Sequence, residues 1–253
     1  MYKIDLANQR AIVTGSSTGI GRGIAVALAQ AGADVAVHYT RNIGEAEKTA
    51  ALVRETGRNA VIVKGDFLKP PEIERSMKEA MSGLGGTVDI LVNNVGDLIQ
   101  RVPFDGFDTT MWDNVIALNL SSVFHAIRTV LPSFAPNARI VNISSLTGIS
   151  GAGKHAFAYA AAKGGMIALT KNLALEFAPR NIRVNCVAPG VVRTPFHERF
   201  NTPEVLETVR KSLPLQVLGE PDDIGAAVVF LASPMSKYMT GQVVEANGGA
   251  HMG

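Results

Sequence analysis

A glycine-rich segment that directly follows an apolar strand constrains the fold of this chain most. Residues 10–14 read Arg-Ala-Ile-Val-Thr, glycines follow at Gly15, Gly19 and Gly21, and a helical pattern covers residues 22–31. In a strand–loop–helix unit such a loop turns backbone N–H groups and a helix N-terminus towards an anion. The alternative is a tight turn that needs glycine, and the spacing G-x-x-x-G-x-G differs from the commoner G-x-G-x-x-G. We predict a dinucleotide phosphate loop.

The rest of the chain continues this alternation of strand and helix. Further strands are predicted at residues 34–38, 60–64, 89–92, 139–143, 183–188 and 242–246, with helices at 45–56, 71–81, 110–131, 156–177 and 222–231. Alternation of this kind indicates a doubly wound α/β fold with a parallel sheet. We find no linker or repeat, so one domain over residues 1–253 is predicted, with a substrate loop or lid at about 190–219, formed by loop and a short helix.

Composition narrows the class of protein. The chain has 253 residues, is 47% hydrophobic and carries a formal net charge of +2 without a basic stripe, so we expect no nucleic acid partner. Cys186 is the single cysteine, the N-terminus does not read as a signal peptide, and no apolar run is expected to approach the ~20 residues of a membrane span. None of the five histidines has metal-ligand spacing. We expect a cytoplasmic protein with no metal and no membrane.

Tyr159 and Lys163 form the first candidate for chemistry. They lie four residues apart in a predicted alanine-rich helix, so their side chains share one face. A cation beside the phenol favours the phenolate, and we therefore expect Lys163 to lower the pKa of Tyr159 and make it a usable acid/base. A packed tyrosine with a solvated lysine is the alternative for such a pair taken alone.

The end of the second strand bears on the choice of nucleotide. No acidic residue occurs from Val35 to Ile43, and Arg41 follows Tyr39. An acid at this place selects NAD and an arginine accommodates the 2′-phosphate of NADP, so NADP(H) is favoured, NAD(H) remains possible, and an exposed loop arginine is the competing interpretation. Asp66 either hydrogen-bonds an adenine amino group or caps a turn.

Several polar residues occur at positions where packing alone does not require them, and these are candidates for ligand contacts. Asn93 and Asn94 follow the fourth strand, where a ligand crevice is expected. Asn119 falls in the middle of an apolar helix, where asparagine is a poor choice unless its amide is used. Ser144 and Ser145 follow the fifth strand, and a hydroxyl there is able to polarise a substrate carbonyl.

These motifs together resemble the short-chain dehydrogenase/reductase family over essentially the whole chain. The match comprises Thr14-Gly15-x-x-x-Gly19-Ile20-Gly21, Asn93-Asn94-x-Gly96, Asn119, the serine pair, Tyr159-x-x-x-Lys163, Pro189-Gly190, Thr240-Gly241 and Gly248-Gly249. The resemblance implies a seven-stranded Rossmann sheet and hydride transfer between a nicotinamide and a carbonyl or secondary alcohol. It also implies a homotetramer built on the helices at 110–131 and 156–177.

The resemblance further implies roles for individual residues. Tyr159 would be the acid/base, Lys163 would lower its pKa and bind the nicotinamide ribose, Ser145 would hold the substrate oxygen, and Asn119 would anchor a relay water. Asn93 and Asp66 would line the adenosine end, and the backbone at Val191 and Val192 with Thr194 would meet the carboxamide. The full set of cofactor-binding residues implied is Gly15, Ser17, Thr18, Gly19, Ile20, Gly21, Tyr39, Arg41, Asp66, Phe67, Asn93, Val95, Gly96, Tyr159, Lys163, Pro189, Gly190, Val192 and Thr194.

Three positions depart from the family pattern. Val95 replaces the usual alanine after the two asparagines, and Thr18 stands where many NADP-using members carry a basic residue, with Arg22 only after it. The interval from Ser145 to Tyr159 is one residue longer than is common, which leaves Ser144 as an alternative to Ser145.

For the substrate we expect a small polar oxo compound, and a sugar acid in particular. Cations and histidines in the substrate loops favour an anionic or hydroxylated ligand, although each one singly also fits a solvated loop charge. The candidate substrate residues are Arg101, Ser145, His155 and His197, and Lys154 and Arg199 lie in the same loops. Two alternatives stay open: a 3-oxoacyl-[acyl-carrier-protein] reductase, and a non-catalytic dinucleotide-binding sensor or scaffold.

Overall fold

The fold is a seven-stranded parallel sheet with helices on both faces, as seen in a computed structural model that describes residues 4–253. The strand order is β3-β2-β1-β4-β5-β6-β7. The strands are β1 (Arg10–Val13), β2 (Asp34–Tyr39), β3 (Ala60–Lys64), β4 (Val88–Asn93), β5 (Phe134–Ile143), β6 (Arg183–Pro189) and β7 (Val243–Ala246). Chain order reverses between β1 and β4, so the carboxyl ends of these two strands border the crevice where such folds bind ligands. The predicted doubly wound Rossmann architecture is confirmed.

Ten α-helices connect and cover the strands in the described part of the chain. They are α1 (Gly19–Gln30), α2 (Ile43–Glu55), α3 (Pro70–Gly83), α4 (Thr109–Ile116), α5 (Ser122–Val130), α6 (Leu146–Ser150), α7 (Phe157–Phe177), α8 (Pro195–Phe200), α9 (Pro203–Ser212) and α10 (Pro221–Ala232). The sequence predicted one short helix in the region 194–219; the structure has two, α8 and α9. Thr194 precedes α8 and Thr202 caps α9 through its side chain, and each is followed by a proline, which helix starts tolerate.

Two apolar layers pack against the sheet, one on each face. On one face α1, α2 and α10 bury residues such as Ile24 and Ile224, and on the other α3, α5 and α7 bury residues such as Met77, Ile127 and Met166. Each of these side chains is almost wholly removed from water, and burial of one large apolar side chain is worth roughly 1.5–3 kcal/mol. The two layers hold the loops at the carboxyl edge of the sheet in fixed places.

The segment Thr109–Ser133 is long and apolar enough to cross a membrane by length and composition. The prediction that no apolar run approaches this length is therefore wrong, although Asp113 and Arg128 interrupt the segment. Core helices of soluble proteins pass the same test, and Val123, Ile127 and Val130 of this segment are buried in the core layer beneath the sheet. One face of the segment thus belongs to the core, while Trp112 and Phe124 on it are exposed.

Candidate active site

The glycine-rich loop bends at two residues with left-handed backbone and then enters α1. Gly15 has a φ of +64° and Gly19 a φ of +54°, a region that glycine occupies at no steric cost. Gly21 is required for a different reason: an added Cβ would lie 2.2 Å from the carbonyl oxygen of Gly15, so no side chain fits there. All three glycines are therefore required by the path of the loop.

The N-terminus of α1 is open to an anion. Thr18 is the N-cap, but its side chain makes no capping hydrogen bond, and the first turn carries no acidic residue. Among residues 4–253, no protein acceptor is present for the backbone N–H groups of Thr18, Gly19 and Ile20. A helix N-terminus with free N–H groups carries a partial positive charge, so this cradle fits the pyrophosphate of a dinucleotide.

Asn94 braces the loop from behind. Its Nδ2 donates to the carbonyl oxygens of Thr14 at 2.9 Å and Gly15 at 3.1 Å, and its backbone N–H donates to the hydroxyl oxygen of Thr14 at 2.9 Å. These bonds join β4 to the first residues of the phosphate loop. Asn94 also lies on the wall of the cavity described below.

Asn93, which was predicted to line the adenosine end, has a side chain that is buried in the core. Asn93 is the last residue of β4, is 2% exposed, and donates from Nδ2 to Oδ1 of Asn142 at 2.8 Å. Alternate residues of a strand share one face, so Asn93 follows Leu91 into the core, whereas Asn94 turns towards the loop.

The predicted adenosine-end residues divide into buried and exposed side chains. Tyr39 and Phe67 are buried in the core, and neither lies on the cavity wall. Arg41 is exposed at the end of β2 and forms no hydrogen bond or ion pair with any other described residue. Asp66 accepts a hydrogen bond from the backbone N–H of Leu68 at 3.1 Å, which is the turn-capping alternative.

The Arg22 side chain, in contrast to that of Arg41, is hydrogen-bonded and ion-paired within the protein. Its guanidinium pairs with the carboxylate of Glu45 at 2.7 Å and donates to the hydroxyl of Thr49 at 2.9 Å. It also donates to the carbonyl oxygen of Ser17, which fixes that residue through its main chain. Of these two arginines, Arg41 is the one without a carboxylate partner among residues 4–253.

Tyr159 and Lys163 lie on one face of α7, as predicted, with Nζ of Lys163 5.6 Å from the centre of the Tyr159 ring. Nζ donates to the carbonyl oxygen of Ile143 at 2.8 Å, so the ammonium is held by β5. Burial lowers the pKa of Lys163 to about 8. Burial raises the pKa of Tyr159 to about 12, while the nearby Ser145 hydroxyl acts in the opposite direction. The expected lowering of the phenol pKa is not found: burial is the largest influence, and the negative charge of Asp97 raises the pKa further.

The two serines after β5 face different partners. Ser144 is buried, and its hydroxyl donates to the carbonyl oxygen of Lys163 at 2.8 Å. Ser145 stands beside Tyr159, and its hydroxyl oxygen accepts from the backbone N–H of Thr147 at 3.1 Å. Of the pair, Ser145 is therefore the one with a hydroxyl near the phenol. Between Ser145 and Tyr159 the chain forms α6, which ends at the left-handed Gly151.

Asn119 lies at the centre of a π-helical segment, Ala117–Ser121, that joins α4 to α5. Its Nδ2 donates to the carbonyl oxygens of Val115 at 2.9 Å and Asp97 at 2.8 Å, and its Oδ1 accepts from the N–H of Asp97 at 3.0 Å. An added Cβ at Gly96 would lie 2.6 Å from that Oδ1 and 2.9 Å from Nζ of Lys163. Gly96 thus lets the asparagine and the lysine ammonium approach the same point.

A cavity of about 460 Å³ connects the glycine loop to Tyr159 and to the helices α8 and α9. Fourteen of the predicted site residues lie on its wall: Gly15, Thr18, Gly19, Ile20, Gly21, Gly96, Arg101, Ser145, Tyr159, Lys163, Pro189, Gly190, Thr194 and His197. The others lie off the wall: Ser17, Tyr39, Arg41, Asp66, Phe67, Asn93, Val95, Asn119, His155 and Val192.

The loop after β6 closes the nicotinamide side of the cavity. An added Cβ at Gly190 would lie 2.8 Å from Cα of Asn247, so glycine is required there by close packing. Val192 is fully buried, and its neighbour Val191 reaches the wall instead. Thr194 lies against the glycine loop, with its Cγ2 3.3 Å from the place of a Cβ on Gly19.

Arg101 and His197 give the substrate end its polar character. Burial and the positive charge of Arg101 together lower the pKa of His197 to about 4, so this imidazole is neutral at pH 7. Arg101 Nη1 donates to the carbonyl oxygen of Lys154 at 2.7 Å, which fixes the direction of the guanidinium. Arg199 is paired with Asp97. His155, a predicted substrate residue, has a φ of +60° and is not on the wall.

Apolar residues complete the substrate end, and the sequence analysis missed them. They are Leu98, Leu146, Phe196, Leu206 and Val209, with Asn201 as an added amide. The spacing of three between Leu206 and Val209 in α9 was the available signal, because such residues share one helix face.

With this geometry established, comparison with known proteins places the chain. A family profile described as "Enoyl-(Acyl carrier protein) reductase" matches residues 15–251. The chain belongs to the short-chain dehydrogenase/reductase family and is an NAD(P)-dependent oxidoreductase acting on a carbonyl/CH–OH pair.

Individual relatives are similar over almost their full length. A 3-oxoacyl-[acyl-carrier-protein] reductase FabG of Staphylococcus epidermidis is 37% identical over 97% of this chain and 100% of its own. A dehydrogenase/reductase structure from Sinorhizobium meliloti superposes with a TM-score of 0.93 at 33% identity, covering 99% of this chain and 98% of its own. A short-chain dehydrogenase structure from Burkholderia cenocepacia in complex with NADP has a TM-score of 0.91 at 29% identity, covering 98% and 99%.

Proposed function

We propose that this protein uses NADPH to reduce the carbonyl group of a small polar oxo compound that carries an anionic group, such as a sugar acid. The observation that carries the proposal is the cavity itself. It brings a protonated phenol, a neighbouring hydroxyl and an unneutralised guanidinium into one space that opens onto the phosphate loop.

The residues present fit a dinucleotide with a 2′-phosphate. The free N–H groups at Thr18, Gly19 and Ile20 would hold the pyrophosphate, and the exposed Arg41 would meet the 2′-phosphate, since Arg22 is taken up by Glu45. The NADP-bound relative from Burkholderia supports the same choice. When bound, the reduced nicotinamide supplies the hydride.

The proton comes from Tyr159. With a pKa raised to about 12, the phenol keeps its proton at pH 7, which is the state needed to donate to a carbonyl oxygen during reduction. Ser145 would hold that oxygen by a hydrogen bond as negative charge develops on it. Lys163 and Asn119, linked through the space above Gly96, would return a proton to Tyr159 after turnover.

Arg101 would select the substrate. Its guanidinium is not neutralised by a carboxylate within residues 4–253, and it lies close enough to His197 to lower the pKa of that residue. A carboxylate accepts strong, paired hydrogen bonds from a guanidinium, so an anionic group at this end would be favoured. The neutral His197 and the amide of Asn201 would meet substrate hydroxyls.

NADPH oxidation with matched substrates tests the proposal. We expect turnover of oxo acids and uronate-derived keto sugars, and an Arg101→Met variant should raise KM for the acid by about tenfold, corresponding to ~1.4 kcal/mol, while a neutral amide analogue changes little. Lys154→Met is the matched control, because that side chain is exposed and off the wall. An Arg101→Met variant with unchanged KM for every oxo acid contradicts the substrate assignment.

Reduction of a 3-oxoacyl thioester is the second candidate. The FabG relative supports it, and the apolar surface of Leu98, Leu206 and Val209 suits an acyl chain. A 3-oxoacyl thioester in the same assay separates the two, and failure of both substrate classes to consume NADPH rejects both.

We further propose that the protein is a cytoplasmic homotetramer. The exposed apolar residues Trp112 and Phe124 on α4 and α5, and Leu175 on α7, which is 77% exposed, support packing of these helices between subunits. Light scattering that reports a monomer would reject this assembly.

A further inference from the structure

His38 is a fully buried histidine that the chemistry above does not use. It lies in β2, is 0% exposed and contacts the ring of Phe67 at a centroid distance of 4.3 Å. Its Nδ1 lies 2.9 Å from the backbone nitrogen of Gly15, and its Nε2 lies 3.0 Å from the carbonyl oxygen of Gly65. One side chain therefore touches two loops that are 50 residues apart in sequence.

The two contacts fix the tautomer of the ring. The carbonyl of Gly65 can only accept, so Nε2 must carry the hydrogen; the N–H of Gly15 can only donate, so Nδ1 must be bare. Burial agrees with a neutral ring, since it lowers the pKa of His38 to about 4. Protonation would place a second donor against the N–H of Gly15.

Main-chain bonds join the same parts. The backbone N–H of Ser16 donates to the carbonyl oxygen of His38 at 3.0 Å, and the N–H of His38 donates to the Ser16 hydroxyl at 3.0 Å. Thr40, two residues further along, also donates to the carbonyl oxygen of Gly65 at 3.0 Å. The start of the phosphate loop and the segment after β3 are thus both anchored on the end of β2.

We propose that His38 is a positioning residue for the dinucleotide: a tie that sets the phosphate loop at Gly15 and the adenosine-side segment at Gly65–Phe67 in a fixed relation. This inference rests on the NADP(H) site of the proposed function. The Gly15 contact orients the first turn of the loop that would hold the pyrophosphate. The Gly65 contact orients the segment beside the adenosine.

Two substitutions separate the two contacts. Asparagine puts an acceptor oxygen near the place of Nδ1 and has nothing to reach Gly65, so His38→Asn keeps the phosphate-loop contact alone. Glutamine extends its amide nitrogen to the place of Nε2, so His38→Gln keeps the Gly65 contact alone. The same pair of substitutions at His125, which lies on α5 and is not on the cavity wall, is the matched control.

The test measures the affinity of each variant for NADPH and for two fragments of it, inorganic pyrophosphate and adenosine 2′-phosphate. NADPH is followed by its fluorescence, and each fragment by its competition with NADPH. We expect His38→Gln to weaken pyrophosphate by about tenfold, as for loss of one well-placed hydrogen bond, and to leave adenosine 2′-phosphate within about twofold. His38→Asn should show the reverse. NADPH should bind more weakly to both, kcat at saturating NADPH should stay within about twofold, and the His125 variants should match the wild type.

The pattern of losses decides the outcome. Equal weakening of both fragments in both variants would mean general damage to the fold and would overturn the tie, as would unchanged affinities in both. If the wild type binds NADPH strongly and either of these two results is found, the positioning role of His38 is rejected and the proposed function is not. No NADPH binding by the wild type rejects both.

Discussion

Replacing Gly96 by alanine tests the packing between the asparagine and the lysine at the centre of the site. The new Cβ would lie 2.6 Å from Oδ1 of Asn119 and 2.9 Å from Nζ of Lys163, both far inside ordinary contact. Asn119 cannot withdraw without weakening its three hydrogen bonds to Asp97 and Val115. At about 1 kcal/mol for each bond, the loss of two or three costs ~2–3 kcal/mol of unfolding free energy.

The effect of Gly96→Ala on turnover follows from the contact with Lys163. The Cβ would also displace Nζ of Lys163, which donates to the carbonyl oxygen of Ile143, and a shift of roughly 1 Å in a catalytic group costs up to ~100-fold in rate. We expect kcat/KM for NADPH-dependent reduction to fall by about that factor, with unfolding in urea at a lower midpoint.

A matched glycine supplies the control. Gly44 lies in the first turn of α2, where an added Cβ meets only Oδ1 of Asn42 at 3.4 Å. Gly44→Ala should keep wild-type kcat/KM and gain up to ~1 kcal/mol in stability from helix propensity. Wild-type stability and kcat/KM in Gly96→Ala would refute the reasoning.

Two further predictions follow from single side chains. Arg41→Ala should raise the Kd of NADPH by about 10- to 100-fold, the worth of a hydrogen bond to a charged group, and leave the Kd of NADH unchanged; equal effects on both would show that Arg41 faces solvent. Acid should destabilise the protein through His38, whose pKa is 6.5 when unfolded and about 4 when folded. The unfolded state binds the proton first as pH falls from 6.5 to 4, so stability present above pH 6.5 is lost over that window, by up to ~3 kcal/mol. Urea titrations should show a shallower pH slope in His38→Asn, and an unchanged slope would contradict the buried neutral ring.

Most of the fold was predictable from the sequence because its signals are local. Each strand is a short apolar run, and Gly15, Gly19 and Gly21 mark the loop by their need for unusual backbone or close packing. The order of the motifs indicated the family, and the family resemblance assigned Ser145, Tyr159 and Lys163 to one site.

The remaining features depend on tertiary packing. Whether Asn93 or Asn94 faces the crevice is decided by the residue at which β4 ends, and a shift of one residue reverses the face. The pKa of Tyr159 depends first on burial, which the sequence does not show. The role of His38 depends on two loops that only the folded chain brings to its ring.

The most direct test of the account compares wild type and Tyr159→Phe in two assays on one preparation: NADPH affinity by fluorescence, and NADPH oxidation with an oxo-acid substrate. Loss of a general acid costs about 10²- to 10⁴-fold in rate. We predict a fall of that size in kcat, with the Kd of NADPH unchanged within about twofold, since the phenol donates a proton. Substantial turnover by the phenylalanine variant would contradict the assignment of Tyr159 as the acid, and failure of the wild type to bind NADPH would contradict the account as a whole.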